Sequence, residues 1–247
     1  MKGIVIKSTG SWYTVRLSDG EKVDARIKGK FRLKGIKSTN PIAVGDIVTL
    51  KKEEDGTAVI SDIEKRKNYI IRKSVNLSKR SHIIASNVDQ AILIVTLSQP
   101  KTYTAFIDRF LVSAEAYHIP TIIVFNKIDI YTEEEKEELS FLRYCYENIG
   151  YSCLEVSATE KTNIEAVKEV MKDKVSVISG HSGVGKTTLL NTIEPTLDLK
   201  TSEISEMHLQ GKHTTTFAEM FELHFGGYLI DTPGIKAFGL IDFKKEE

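Results

Sequence analysis

The sequence predicts two folds in series: a small five-stranded β-barrel of the OB type over residues 1–62, then an α/β domain built on a parallel sheet over residues 83–247, with a basic linker at 63–82. Three observations predict this. Short runs near the N-terminus alternate apolar and polar residues and are rich in β-branched and aromatic types, as half-buried strands are. After residue 83 continuous apolar runs alternate with amphipathic helical runs, the pattern of a sheet covered by helices. The glycine-rich stretch GHSGVGKTT, Gly180 to Thr188, stands between one such strand and one such helix.

In the first region GIVIKS, SWYTVRLSD, EKVDARIKGKF, GDIVTLKK and TAVISDI read as the strands of a small antiparallel barrel. Asp19-Gly20, Gly45-Asp46 and Asp55-Gly56 mark turns between them. Five short strands in about sixty residues suit an OB-type barrel, whose face and loops commonly bind oligonucleotides. Trp12, Tyr13 and Phe31 are either stacking platforms for bases or core residues, with the core the expected place for at least two of them.

The net charge is zero, with 34 Lys and Arg against 34 Asp and Glu, but the charges are segregated. Residues 1–82 hold 19 Lys and Arg against 9 Asp and Glu, while the remainder holds 15 against 25. The linker IEKRKNYIIRKSVNLSKRSH carries seven Lys and Arg against Glu64 alone. Such a segment is either a solvated connector or an arm on a phosphate backbone, where counterion release supplies sequence-independent affinity.

In the second region QAILIVTLS is a strand, TAFIDRFLVSAEAYH a helix, and TIIVFNK the next strand. EEEKEELSFLRYCYENIG is a helix whose first-turn carboxylates suit the helix dipole, and SCLEVSA, NIEAVKEVMKD and VSVIS continue the alternation. VSVIS leads into Gly180 and TTLLNTI leads out with helical spacing, the context in which G-x-x-x-x-G-K-[ST] holds phosphate. Glycines let backbone N–H groups turn onto phosphate oxygens, and the following helix adds its positive end. Gly180, His181, Ser182, Gly183, Val184, Gly185, Lys186, Thr187 and Thr188 are therefore expected to wrap the phosphates of a nucleotide. Lys186 is expected to bridge the β- and γ-phosphates, and Thr187 to ligate Mg2+.

The base is read elsewhere. NKID, Asn126 to Asp129, ends the strand TIIVF, at the carboxyl end where a parallel sheet places its ligands. The Asp129 carboxylate matches the ring N–H and exocyclic amine of guanine, a pair of donors that adenine lacks. Lys127 is expected to lie along the base, and Asn126 to tie this loop to the phosphate loop. VSAT, Val156 to Thr159, adds Ser157 and the Ala158 N–H, the latter placed to address the guanine carbonyl. DTPG, Asp231 to Gly234, follows the strand GGYLI, so Asp231 is expected to hold Mg2+ through water and the Gly234 N–H to sense the γ-phosphate. GKHTTTF, Gly211 to Phe217, falls where a first switch loop belongs. One of Thr214, Thr215 and Thr216 then closes on the metal, Thr215 being the choice; a threonine loop that merely starts a strand is the alternative.

With the order NKID, VSAT, GHSGVGKTT, GKHTTT and DTPG, preceded by SNVDQAILIV, the basic link and the OB-like region, the chain resembles the circularly permuted GTPases. It resembles specifically the RsgA (YjeQ) family of ribosome small-subunit-dependent GTPases, over nearly its whole length. The resemblance implies a Ras-like P-loop domain cut and rejoined, with GTP/GDP and Mg2+ as ligands. It also implies binding to the 30S subunit and its 16S rRNA late in assembly, GTP hydrolysis stimulated by that subunit, and release of the factor. A GTP-gated RNA-binding module with incidental hydrolysis is the alternative. Joining old termini and opening a new break leaves the loops of such a site in place and changes only the neighbours of each switch.

The family's C-terminal helical domain, with its zinc site of cysteines and a histidine, has no counterpart here. The sequence stops thirteen residues after Gly234 and reads like an interrupted chain, and Cys145 and Cys153 lie in the wrong region and lack ligand spacing. Where Ras-like enzymes carry the glutamine that orients water, this chain has Ile235, so slow intrinsic hydrolysis is expected. His213 beside the switch threonines is the candidate catalytic group, or else a polar loop residue or an RNA contact. No run approaches the roughly 18 apolar residues of a membrane span, and MKGIVIKSTG lacks the layout of a secretory signal. A cytosolic monomer with two free thiols and no membrane partner is expected.

Overall fold

The computed structural model describes residues 1–27, 41–73, 81–197 and 218–231. Strands β1 (Lys2–Ser8), β2 (Tyr13–Leu17), β3 (Lys22–Ile27), β4 (Ile47–Lys52) and β5 (Ala58–Ile63) form the N-terminal barrel. Alternation along them sends Val5, Tyr13, Val15, Val23, Leu50 and Ile60 into one buried cluster. Pairing runs β1–β2–β3–β5–β4 and returns to β1, so the sheet closes on itself. Strands β3 and β5 pair in parallel while the other pairs are antiparallel. A wholly antiparallel barrel, as the sequence pattern predicts, cannot close with five strands, because an odd number cannot alternate in direction all the way round. Of the three aromatic candidates, Tyr13 is core at 2% exposure, Trp12 is 44% exposed beside Arg26, and Phe31 lies outside the described residues.

The stretch read as a basic linker contains β6 (Tyr69–Lys73), which pairs antiparallel with β7 (Ser81–Ser86) as a separate two-stranded sheet. Its many cationic residues break the apolar period, so these strands leave little trace in the sequence.

Strands β8 (Gln90–Val95), β9 (Thr121–Phe125), β10 (Ser152–Glu155), β11 (Val175–Ser179), β12 (Glu219–Glu222) and β13 (Tyr228–Asp231) make the second sheet, in the order β10–β9–β8–β11–β13–β12. All run parallel except β12. Every residue of β8 is buried because helices cover both faces. Leu93 and Val95 share a core with α1 (Thr104–Ala116) and α2 (Glu133–Asn148), whereas Ile92 and Ile94 share one with α3 (Ile164–Met171) and α4 (Lys186–Ile193). Helix α2 opens with a reciprocal capping box: the Thr132 hydroxyl accepts from the Glu135 N–H, and the Glu135 carboxylate accepts from the Thr132 N–H. No described helix is long and apolar enough to cross a membrane. Strand β1 of the barrel pairs with β12, joining the two sheets into one of eleven strands.

Candidate functional site

Because β8, β9, β10, β11 and β13 run parallel, the loops leaving their carboxyl ends share one edge of the sheet. From the central pair β8 and β11 the strands proceed outward in opposite directions, to β9 and β10 on one side and β13 on the other. The crevice at such a switch point is where parallel sheets bind ligands. The chain order of the loops plays no part in this, which is why the reversed motifs meet at one edge.

The phosphate loop is pressed tightly into that edge. Gly180, Gly183 and Gly185 have φ of 146°, 87° and 90°. A Cβ at Gly180 would stand 2.4 Å from the Ile94 carbonyl oxygen, and one at Gly185 would stand 2.5 Å from Asn126 Nδ2. Lys186 Nζ donates to the carbonyls of Gly180 and His181, both at 2.7 Å, which holds its ammonium in the mouth of the loop. Gly185 is the N-cap of α4 and supplies no side-chain cap, so the positive end of the helix faces the loop. His181 is fixed by Thr102, whose Oγ1 lies 2.7 Å from Nε2, and by the Phe106 ring packed edge-on against it. Ser182, Gly183 and Thr188 are exposed, and Val184 is buried.

Asn126 holds the site together. It is 1% exposed; its Nδ2 donates to the Val184 carbonyl at 2.9 Å, and its Oδ1 accepts from the Ala158 N–H at 3.2 Å. One amide side chain thus ties the phosphate loop to the NKID and VSAT loops. The Ala158 N–H, expected to meet a guanine carbonyl, is engaged by Asn126 here, so a bound base has to share or take over that donor. Lys127 adopts φ of 65° and its Nζ donates to the Gln99 carbonyl at 2.5 Å. Asp129 lies exposed on the single 3-10 turn Ile128–Ile130, and Ser157 is fully buried with its Oγ accepting from the Glu160 N–H.

Tyr131 and the 96–103 loop belong to the site although no motif contains them. The Tyr131 hydroxyl donates to the Asn126 carbonyl at 2.6 Å and accepts from the Leu97 N–H at 3.0 Å. Burial above all pushes this phenol up to about 12, so it stays a neutral donor. Nothing in residue type or spacing singles out Tyr131, Gln99 or Thr102; only the fold brings them here.

The metal-binding expectations are described in part. Thr187 is buried on the first turn of α4, and Asp231 ends β13, the neighbour of β11. A hydroxyl and a carboxylate at adjacent strand ends form an oxygen donor set that fits Mg2+. His213, Thr214, Thr215, Thr216, Gly234 and Ile235 lie outside the described residues.

Two family models match the chain: the RsgA N-terminal domain over residues 2–60 and the RsgA GTPase over residues 63–241. A protein of Flavobacterium psychrophilum named small ribosomal subunit biogenesis GTPase RsgA is 60% identical over 250 residues, covering 100% of this chain and 77% of its own length. A protein of the same name from Christiangramia forsetii is 58% identical over 250 residues, covering 100% of this chain and 79% of its own. The crystal structure of YjeQ from Thermotoga maritima aligns with a TM-score of 0.76 at 37% identity, over 95% of this chain and 74% of that one. That of YloQ, described as a circularly permuted GTPase, aligns at 0.74 and 29% identity, over 100% of this chain and 75% of that one. The sheet edge that gathers the reversed motifs, the barrel before it and these likenesses agree: the chain belongs to the RsgA GTPase family.

Proposed function

We propose that this chain is a GTPase of small ribosomal subunit biogenesis, which binds the 30S subunit through its 16S rRNA late in maturation and is released on hydrolysis stimulated by that subunit. The observation that carries the nucleotide part is Asn126, whose buried amide joins the phosphate loop to both guanine-reading loops. The ribosomal part is supported by the names of relatives 58–60% identical over the whole chain. RNA binding is assigned to the barrel, residues 1–62, and the basic segment 63–82, and nucleotide chemistry to residues 83–247. Exposed Trp12 beside Arg26 offers a stacking face for a base, whereas Tyr13 does not. The protein acts in the cytoplasm as a monomer.

In this reading Asp129 accepts from the guanine ring N–H and amine, with its loop held by Asn126 and Tyr131. Lys186 leaves its carbonyl partners in part to neutralise the β- and γ-phosphates, and the first turn of α4 adds its dipole. Thr187, Thr215 and Asp231 hold Mg2+, which would neutralise charge developing between the two phosphates. The Gly234 N–H reports the γ-phosphate. Ile235 cannot orient water, so His213 takes that part once the subunit has ordered the switch against it.

Steady-state GTP hydrolysis by the chain, alone and with purified small subunits, tests the proposal. A rise of at least about tenfold with subunits is expected, the lower reach of what trans-acting partners supply to GTPases. Turnover indifferent to subunits, with GTP still bound, would instead leave a GTP-gated binding module. His213→Ala with unchanged stimulated turnover would remove His213 from the mechanism.

A further inference from the structure

Strand β12 follows directly on the first-switch stretch Gly211–Phe217 and would be the edge strand of the nucleotide sheet if the barrel were not there. Instead β1 lies along it. Glu219 is the centre of a rung: its strand partner on one side is Lys7 of the barrel, and on the other Asp231, the first residue of DTPG. One rung therefore runs from the barrel wall across the switch strand to the magnesium strand.

Side chains repeat the join. Lys7 Nζ donates to both carboxylate oxygens of Glu219, at 3.1 and 3.0 Å. Arg16 on β2 pairs with Glu222 at 2.6 Å and donates to the Tyr228 hydroxyl on β13. The pairing of β1 with β2 slips between Val5 and Lys7, a bulge that re-aims the strand. Val5 stays in the barrel core, while Ile6 enters the cluster that holds Ala218, Met220 and Ile230. Ala218 is the first described residue beyond the switch stretch.

We propose that β1 is a working part of the nucleotide site, with Ile6, Lys7 and Arg16 as positioning residues for the strand that leaves the first switch. A load on the barrel moves β12 and the start of DTPG together through the Lys7–Glu219–Asp231 rung. RNA held by the barrel thereby sets the rate of GTP hydrolysis, and by reciprocity the nucleotide sets how tightly the barrel holds RNA. The ladder supplies stiffness along the rung, and the half-exposed charges keep the seam weak enough to be remade in each state. The link to the subunit rests on the function proposed above; the link between β1 and the nucleotide does not.

The test uses the full chain as wild type, Lys7→Glu, Glu219→Lys and the double variant. The ratio of subunit-stimulated to intrinsic turnover should fall at least about fivefold in Lys7→Glu, with intrinsic turnover and melting temperature near wild type, and recover in the double variant. A general loss of structure would not be rescued by exchanging the charges. Hydrogen exchange at the amides of residues 4–8 gives the second readout, with Mg2+ and a non-hydrolysable GTP analogue and no subunit. The analogue should slow it in the wild type and the double variant and not in Lys7→Glu. If subunits never stimulate the wild type but the exchange linkage holds, the function proposed above fails and the seam stands. If exchange ignores the analogue, or both readouts are the same in all four proteins, the seam carries no signal and the proposal is overturned.

Discussion

At the linker, Asp46 and Arg66 meet in the interior, 0% and 7% exposed; at the β1–β12 seam, Lys7 and Glu219 meet half in water, 45% and 39% exposed. The inner pair is bidentate at 2.6 Å, and Asp46 also accepts from the Ser86 hydroxyl and the Ala43 N–H. Backbones touch there as well: a Cβ at Gly45, whose φ is 92°, would stand 2.0 Å from the Ser86 carbonyl oxygen. Removing one partner from a buried pair strands a charge, whereas an exposed pair dissolves into solvent at little cost. The barrel is thus hung from a fixed pivot at one place and rests on a remakeable contact at the other. That is the arrangement a signalling contact needs, since a device with two rigid joins has nothing to move.

The largest expected effect is at the pivot. Arg66→Ala should cost about 3–5 kcal/mol, read from the shift in denaturant midpoint, because the Asp46 carboxylate then stays buried without its cation. A loss below about 1 kcal/mol would show that water replaces the guanidinium and that the pivot is no firmer than the seam. Next comes the nucleotide edge, which belongs to neither join. Asn126→Ala removes two buried hydrogen bonds and should weaken guanine-nucleotide binding about 100-fold by titration, leaving the melting behaviour of the barrel junction in place.

A smaller effect concerns acid. Burial pushes Glu194 up, but hydrogen bonds from Thr196, the His224 N–H and the His224 ring outweigh it, and its carboxyl sits below its ordinary value. A depressed folded value means stability present above the unfolded pKa of about 4.3 and lost as pH falls through the folded one. Glu194→Gln should therefore lessen the slope of stability against pH below that point, in urea titrations run across the acid range. An unchanged slope would show that the carboxylate gains nothing from its partners. The smallest effect is at the seam itself: Lys7→Ala should cost less than about 1 kcal/mol at low salt and nothing measurable near 0.5 M, while the Arg66→Ala penalty persists. Equal salt sensitivity at both places would erase the contrast between pivot and contact.

The phosphate loop, NKID, VSAT and DTPG were legible in the sequence because each demands its residue types for local reasons. Gly180, Gly183 and Gly185 sit at positive φ where other residues strain, and Asp129 carries the acceptor pair that guanine requires. Helices α1 to α4 and the buried strands were legible because periodicity reports which face is covered. Periodicity does not report what covers it. That Asn126 spans three loops, that Tyr131 braces it, that β3 and β5 close the barrel in parallel, and that Lys7 reaches Glu219 across 212 residues were decided only by the tertiary structure. Local chemistry is written in neighbouring residues, but which surfaces meet depends on the packing of the whole chain, and a circular permutation preserves that packing while scrambling the order in which its parts are read.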